Sequence, residues 1–143
     1  MKRKIAALLL AALLPFLFTS CGEAREKTPK PAPDLTGEWK QVGNPVNYYQ
    51  IATITEDHIE LYWFVVADSS SYLYWTGSFT PPETGDEPYV WTSVNDLEDP
   101  DNPYHDLWAL RNETKNFTYK NGNITYNIDQ GHLRMGVTLE KVE

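Results

Sequence analysis

The chain has 143 residues, with 20 Asp and Glu against 12 Lys and Arg, a formal net charge of −8 and a single cysteine. An acidic balance of this size disfavours nucleic-acid phosphates and anionic membrane surfaces as partners, because both require clustered Lys and Arg. One cysteine cannot form an internal disulfide framework. We therefore expect no nucleic-acid partner and a domain stabilised by an ordinary hydrophobic core.

The first 20 residues have the pattern of a secretion signal peptide. Lys2, Arg3 and Lys4 precede an apolar run over 5–18 that is interrupted only by Pro15. A charged start followed by about 7 to 15 apolar residues is typical of a secretory signal, whereas an uncleaved membrane helix needs about 18 or more. Removing this segment takes away three positive charges and no acid, so the formal net charge moves from −8 to −11.

The only cysteine, Cys21, lies directly after this signal. The stretch 17–21, Leu-Phe-Thr-Ser-Cys, resembles the lipobox of bacterial lipoproteins, with Phe18 three residues before the cysteine and small residues in the gap. The resemblance implies lipid attachment at Cys21, and two acyl chains are enough for stable anchoring. The alternative is ordinary signal-peptide cleavage after Ala24. We expect a lipid-anchored protein at the extracytoplasmic face of the cell membrane.

Residues 21–35 form the expected spacer between this anchor and the folded domain. The segment is rich in Lys, Glu, Pro and Ala, and Pro29, Pro31 and Pro33 alternate. Prolines at this spacing favour an extended polyproline conformation of about 3.1 Å per residue. The sequence predicts a semi-rigid spacer followed by one domain over 36–143, a length that suits a single core.

Apolar residues alternate with polar ones along much of this domain, which is the pattern of β-strands. The clearest alternating sets are Ile59, Leu61, Trp63 and Val65; Leu73, Trp75 and Phe79; and Leu133, Met135, Val137 and Leu139. Strands are predicted near 37–42, 48–55, 58–66, 72–79, 88–93, 107–111, 115–120, 123–128 and 132–141.

Turn residues between these segments predict how the strands pair. Asn121-Gly122 suits a two-residue type I′ turn, which needs positive φ at both positions. Each predicted turn sets one pair of facing residues. The turn Asn121-Gly122 places Phe117 opposite Tyr126, and the turn Glu56-Asp57 places Ile54 opposite Ile59. The tip 68–71 places Trp63 opposite Trp75, and the loop 129–132 places Ile128 opposite Leu133. The predicted fold is all-β: an antiparallel up-and-down barrel or strongly curved meander of about eight or nine strands. A two-sheet β-sandwich is the alternative.

Two resemblances accompany this pattern. Thr36-Gly37-Glu38-Trp39 resembles the Gly-x-Trp signature of lipocalin-like (calycin) barrels, in which the Trp plugs the closed end. The layout of residues 35–142 also resembles small surface lipoproteins of Gram-positive bacteria and their prophages, through the segments 35–40, 73–79 and 115–119. These resemblances imply a lipocalin-like fold and a surface location, and they imply no particular activity.

The hairpin over 58–79 is apolar on both faces, so one of its faces is expected outside the core. The residues assigned to this outer aromatic face are Tyr62, Phe64, Tyr72 and Tyr74. Exposed aromatic patches commonly mark interaction surfaces, and Tyr is a favoured anchor in them. The alternative is that the loop 80–88 or the spacer folds over this face.

Metal and catalytic motifs are weak. The segment 95–106 holds five carboxylates that suit calcium, but it lacks the Gly and Glu positions of an EF-hand, so a solvated acidic loop is preferred. His58, His105 and His132 lack the spacing of a zinc site, and neither a nucleophile elbow nor a glycine-rich phosphate loop is present. We expect no metal, no cofactor and no catalysis.

The sequence thus predicts a non-enzymatic, lipid-anchored extracytoplasmic binding module that uses either the cup of its barrel or the aromatic outer face to hold a ligand or a protein. Its abundant Trp and Tyr favour a filled barrel interior, and hence a protein partner over a small lipophilic ligand. A first alternative is a prophage-encoded surface lipoprotein that interferes with phage infection, on the strength of the resemblance and the acidic domain. A second alternative is an enzyme of unknown type, with acids such as Glu60 and Asp106 facing each other.

Overall fold

Within the described residues, eight antiparallel strands close into a barrel in which each strand pairs with its neighbours in sequence, and β1 pairs with β8. The computed structural model describes residues 28–43, 45–96, 112–130 and 133–143. The strands are β1 Gly37–Gln41, β2 Tyr48–Ile54, β3 His58–Val65, β4 Ser70–Ser78, β5 Tyr89–Asn95, β6 Thr114–Lys120, β7 Asn123–Gln130 and β8 Leu133–Lys141. The predicted all-β up-and-down barrel is confirmed, and the sandwich is excluded. The ninth predicted strand, 107–111, lies outside the described residues.

The alternation of side chains places one face of every strand inside the barrel. Large interior side chains with 2% or less of their surface exposed are Trp39, Ile54, Ile59, Leu61, Trp75, Phe117, Ile124 and Leu139. The Trp91 and Phe117 rings stack with centroids 5.2 Å apart. Much of the interior is therefore filled by aromatic and branched side chains, as predicted.

Two predicted hairpin registers are confirmed. Asn121 and Gly122 have φ of 53° and 84°, as a type I′ turn requires, and Phe117 lies opposite Tyr126. The turn after β2 places Ile54 opposite Ile59. In both hairpins the shortest turn compatible with the apolar pattern fixes the pairing.

Two other registers were predicted wrongly. Between β7 and β8 the strands continue to Gln130 and Leu133, so that Ile128 faces Met135. This differs from the prediction by two residues, which leaves every side chain on its predicted face because the strand period is two.

In the hairpin of β3 and β4, Trp63 faces Tyr72, and Trp75 faces Leu61. A register shift after Leu61 leaves Tyr74 as an extra residue in β4, which is a β-bulge. The bulge reverses the alternation in the first half of β4, so residues 70–73 lie on the face opposite to the predicted one.

The barrel has two ends with different coverings. At one end β1 begins, β2 ends and β3 begins. Residues 30–36, here called the strap, pack there against the loop 79–88, so we call it the strap end. At the other end, here called the cavity end, β2 begins, β3 ends and β4 begins. Residues 30–36 make their contacts at the strap end, and residues 22–27 of the spacer lie outside the described residues. None of the described residues forms a helix long and apolar enough to cross a membrane.

The strap is the last part of the expected semi-rigid spacer, and several contacts hold it on the barrel. The Gly85 amide donates to the Lys30 carbonyl at 2.7 Å, and Lys30 Nζ lies 2.8 Å from Glu87 Oε1. Leu35 is 4% exposed, and its carbonyl accepts a hydrogen bond of 2.8 Å from Trp39 Nε1. Burial of Leu35 and satisfaction of the Trp39 indole provide the physical reason for docking.

Candidate binding site at the cavity end

A cavity of about 420 Å³ opens at the cavity end of the barrel, and Tyr48, Trp63, Val65 and Tyr72 line it. These residues are cross-strand neighbours, because Tyr48 pairs with Val65 and Trp63 pairs with Tyr72. The β-bulge at Tyr74 brings Tyr72 onto the same face as Trp63. Three adjacent strand ends thus supply three aromatic rings and one branched side chain to a single concave surface.

The rim of this cavity exposes apolar side chains. Tyr48 is 58% exposed and Tyr72 is 56% exposed, and Val46 and Val66 beside them are 80% and 47% exposed. The Val66 amide donates to the Asn47 carbonyl at 3.0 Å, so the chain before β2 and the chain after β3 are joined. Grouped exposed apolar residues of this kind mark interaction sites more often than isolated ones do.

Beneath the cavity, a lysine lies inside the barrel among aromatic rings. The Trp63 ring meets the Tyr74 ring at 6.0 Å and 70°. Lys115 Nζ donates to the Tyr74 hydroxyl at 2.9 Å and lies 4.7 Å, 5.7 Å and 5.4 Å from the ring centroids of Tyr74, Trp75 and Tyr126. Aromatic faces and a phenol oxygen therefore stabilise a charge that would otherwise be costly to bring into the interior.

Deeper still, Tyr126 and Gln50 form a buried polar pair. The Tyr126 hydroxyl donates to Gln50 Oε1 at 2.9 Å. Burial raises the pKa of Tyr126 well above its ordinary value, and the Tyr74 phenol adds to this shift, so Tyr126 remains a proton donor. Gln50 is fully buried, and its Nε2 has no hydrogen-bond partner within the described part of the chain. A buried donor in this state favours any acceptor that reaches it.

The four residues predicted as one outer aromatic face do not lie together. Tyr62 and Phe64 are half-buried on the outer wall, where the Tyr62 hydroxyl donates to Glu60 Oε2 at 3.0 Å. Tyr72 lies at the cavity rim, and Tyr74 is 6% exposed inside the barrel. The bulge explains the split, since it places residues on either side of Tyr74 in different alternation patterns.

Tyr48 was not among the predicted site residues, although a signal for it exists. Counting back by twos from the interior Ile54 passes Ala52 and Gln50 and reaches Tyr48 on the interior face. Trp63 was assigned to the barrel interior, and the structure shows that it also borders the cavity. The sequence pattern does not show at which residues the filled part of the interior ends and the cavity begins.

A separate polar cluster lies on the outer wall. His58 Nδ1 is 2.9 Å from Asp96 Oδ2, and His58 Nε2 is 2.9 Å from Thr76 Oγ1. Ser78 Oγ donates to Asp96 Oδ1 at 3.2 Å. The order hydroxyl, imidazole and carboxylate is that of a hydrolytic triad, but Thr76 is only 8% exposed and lies on the wall, facing away from the cavity.

This cluster instead links neighbouring strands at the place where few backbone pairs join β4 to β5. Within the described residues, β4 and β5 share two register pairs, Gly77 with Asn95 and Ser78 with Val94. A Cβ on Gly77 would come within 2.3 Å of the Val94 carbonyl oxygen, so glycine permits the close approach. The imidazole and carboxylate add side-chain bonds across this seam.

The acidic segment considered for calcium and the predicted lipidation site fall largely beyond the described ranges. Across the residues that the structure describes, no three His, Cys, Asp or Glu side chains gather as a metal site would require. Of the acidic segment 95–106, only Asn95 and Asp96 are described, and Asn95 Nδ2 donates to the Asn112 carbonyl at 3.0 Å. Residues not described include Cys21, His105, Asp106 and His132.

Comparisons of the chain with protein-family models, with curated proteins and with solved structures gave no match. The functional argument therefore depends on the geometry of the cavity end.

Proposed function

We propose that the protein is a lipid-anchored extracytoplasmic binding module, without catalytic activity, that holds a small ligand or a partner's apolar side chain at the cavity end. The observation that carries the proposal is the cavity of about 420 Å³ lined by Tyr48, Trp63, Val65 and Tyr72. Its volume lies within the range of about 300 to 1,000 Å³ that is usual for ligand pockets.

The exposed rings supply the affinity expected of such a site. Tyr48 and Tyr72 each leave more than half of their surface exposed, and covering a large apolar side chain contributes roughly 1.5 to 3 kcal/mol if it becomes fully buried. Aromatic anchors near the centre of an interface are typical hot spots. Two rings of this kind beside Trp63 supply apolar surface whose burial offsets part of the cost of association.

The absence of catalysis is part of the same proposal. The residues that line the cavity present phenols, an indole and an aliphatic side chain, and they include no imidazole, carboxylate or amine, which are the groups that general acid–base catalysis uses most. The cluster of His58, Thr76 and Asp96 lies on the outer wall. Its contacts support a role in holding strands together.

Binding can be measured with Nile red, a neutral dye whose fluorescence rises in an apolar cavity. We expect the wild-type domain to increase its emission and the double variant Tyr48→Ser/Tyr72→Ser to lose that increase. The matched control is Val90→Ser/Val94→Ser, which removes two apolar side chains that are 62% and 53% exposed on the outer wall. Equal emission from the two double variants would contradict the proposal.

Anchoring is tested at Cys21. We expect Cys21→Ala to release the protein from the membrane fraction or to stall its processing, because the acyl chains would be missing. Ser20→Ala, which keeps a small residue before the cysteine, is the control. Membrane association of Cys21→Ala equal to wild type would rule out lipidation as the anchor.

A further inference from the structure

We infer that the strap end of the barrel faces the membrane and the cavity end faces away from it, so that the cavity takes its ligand from the surrounding medium and not from the bilayer. The inference rests on the lipid anchor of the proposed function. It adds a direction to that function, because it states which side of the protein a partner must approach.

The chain reaches the barrel at the strap end and is fixed there before β1 begins. Lys30 is held by Gly85 and Glu87, and Leu35 is buried beneath the barrel wall. Lys141 Nζ donates to the Asp34 carbonyl at 3.0 Å. The last point at which the tether can pivot is therefore Lys30, at the strap end.

Gly85 makes this attachment close. It is buried, and a Cβ at this position would lie 2.4 Å from the Pro31 carbonyl oxygen and 2.6 Å from Lys30 Cγ. Glu87 also accepts a hydrogen bond of 2.7 Å from the Asn121 amide. The strap, the loop 79–88 and the β6–β7 turn are thus joined through two residues.

The length of the tether favours one orientation over the other. Lys30 lies nine positions after Cys21 along the chain. A flexible chain of that length has a root-mean-square span of about 17 Å and a fully extended span of about 30 Å. The nine-residue strands β4 and β8, rising about 3.3 Å per residue at a tilt of about 40°, separate the two barrel ends by roughly 23 Å.

For the cavity end to touch the bilayer, the strap end would have to stand at least one barrel height above the surface. That height exceeds the root-mean-square span of a flexible chain of this length and approaches full extension. The opposite orientation, with the strap end near the surface, requires no such extension. Docking of the strap enforces this difference, because releasing it up to Leu35 would lengthen the tether to 14 residues, with an extended span of about 47 Å.

The orientation can be measured by energy transfer to the membrane. The pair Thr114→Cys and Lys120→Cys places a dye at either end of β6, on the same outward face and about 20 Å apart along the strand. Each introduced cysteine is the only free thiol if Cys21 is acylated. The full-length lipidated protein is reconstituted in vesicles of phosphatidylcholine and phosphatidylglycerol that carry rhodamine-labelled phosphatidylethanolamine.

We expect a several-fold higher transfer rate from the dye at position 120, near the strap end, than from the dye at position 114. Adding Gly85→Ala should narrow this ratio by displacing the strap, whereas Gly136→Ala, where a Cβ meets nothing closer than 3.9 Å, should leave it unchanged. Equal or reversed rates from vesicle-bound protein would overturn the inference and leave the anchor intact. Failure of the lipidated protein to associate with vesicles would overturn the anchor itself, and the inference with it.

Discussion

Aromatic side chains lie at both ends of the barrel, but they are covered at the strap end and exposed at the cavity end. At the strap end, Trp39 is 2% exposed and its indole nitrogen donates to Leu35, and the Tyr89 hydroxyl donates to the Thr80 carbonyl. At the cavity end, Tyr48 and Tyr72 present more than half of their surface to solvent. Aromatic residues thus stabilise the fold where the chain covers them and provide a binding surface where it does not.

Among the variants that test this difference between the two ends, we expect Trp39→Ala to have the largest effect on stability. Trp39→Ala removes a buried ring and leaves the Leu35 carbonyl without its donor, so we expect a loss of about 3 to 5 kcal/mol in the free energy of unfolding. Urea denaturation followed by circular dichroism measures it. Tyr48→Ala at the other end serves as the comparison and should cost less than about 1 kcal/mol. Similar losses for the two variants would remove the distinction between the ends.

A smaller effect is expected at the polar pair beneath the cavity. Gln50→Leu leaves the buried Tyr126 hydroxyl without its acceptor and should cost roughly 1 to 2 kcal/mol of unfolding free energy. The double variant Gln50→Leu/Tyr126→Phe removes both partners and should be more stable than the single one. If the double variant is the less stable of the two in urea, the Tyr126 hydroxyl has another favourable contact in the Gln50→Leu variant and is not left unpaired as we expect.

At the cavity rim the effect on stability should be close to zero. Tyr72→Ser changes a side chain that is 56% exposed, so the unfolding free energy should move by no more than about 0.5 kcal/mol, while Nile red emission falls. A loss of stability above 1 kcal/mol would show that Tyr72 belongs to the core. The same variant therefore separates binding from folding.

The smallest effect concerns pH and the strap. The Lys30 ammonium and then the Asn121 amide hold the pKa of Glu87 below its ordinary value, and Glu87 in turn raises the pKa of Lys30. The contribution of Glu87 is fully present above its unfolded-state pKa and is lost as the pH falls through its folded-state pKa. The contribution of Lys30 is present below its unfolded-state pKa and is lost as the pH rises through its folded-state pKa.

We therefore expect the Gly85 amide, which donates to the strap, to exchange hydrogen faster at acidic pH, after correction for intrinsic rates. The barrel itself should remain folded. Glu87→Gln should abolish this pH dependence, and Asp86→Asn, one residue away, should preserve it. A wild-type protection factor that is constant from neutral to acidic pH would contradict the role of the ion pair.

Much of the fold could be predicted because period-two alternation and two short turns determine it. Asn121-Gly122 and Glu56-Asp57 fixed their registers, because a short turn sets the pairing and a shift by one residue would put apolar side chains in water. The candidate site could not be predicted in the same way. The bulge at Tyr74 inserts one residue without a distinctive sequence, and it moves Tyr72 to the cavity and Tyr74 to the interior.

Docking of the strap was also beyond the sequence pattern. Alternating prolines between 29 and 33 favour an extended chain, and an extended chain can either remain in solvent or lie along a surface. What decides between them is a set of distant partners, Gly85, Glu87 and Trp39, which no local pattern connects to this segment. Tertiary contacts of this kind form only in the folded barrel, so the local sequence of the segment does not predict them.

The close approach at Gly77 has a consequence for how the barrel moves. Local opening of a sheet starts where the fewest backbone bonds must break, and along the described chain β4 and β5 share two residue pairs, whereas β3 and β4 share eight. We therefore expect the barrel to open first between β4 and β5. Transient separation of these two strands would let water reach the interior near Trp75 and Lys115 through the side of the barrel. The strands on the opposite side of the barrel would stay paired.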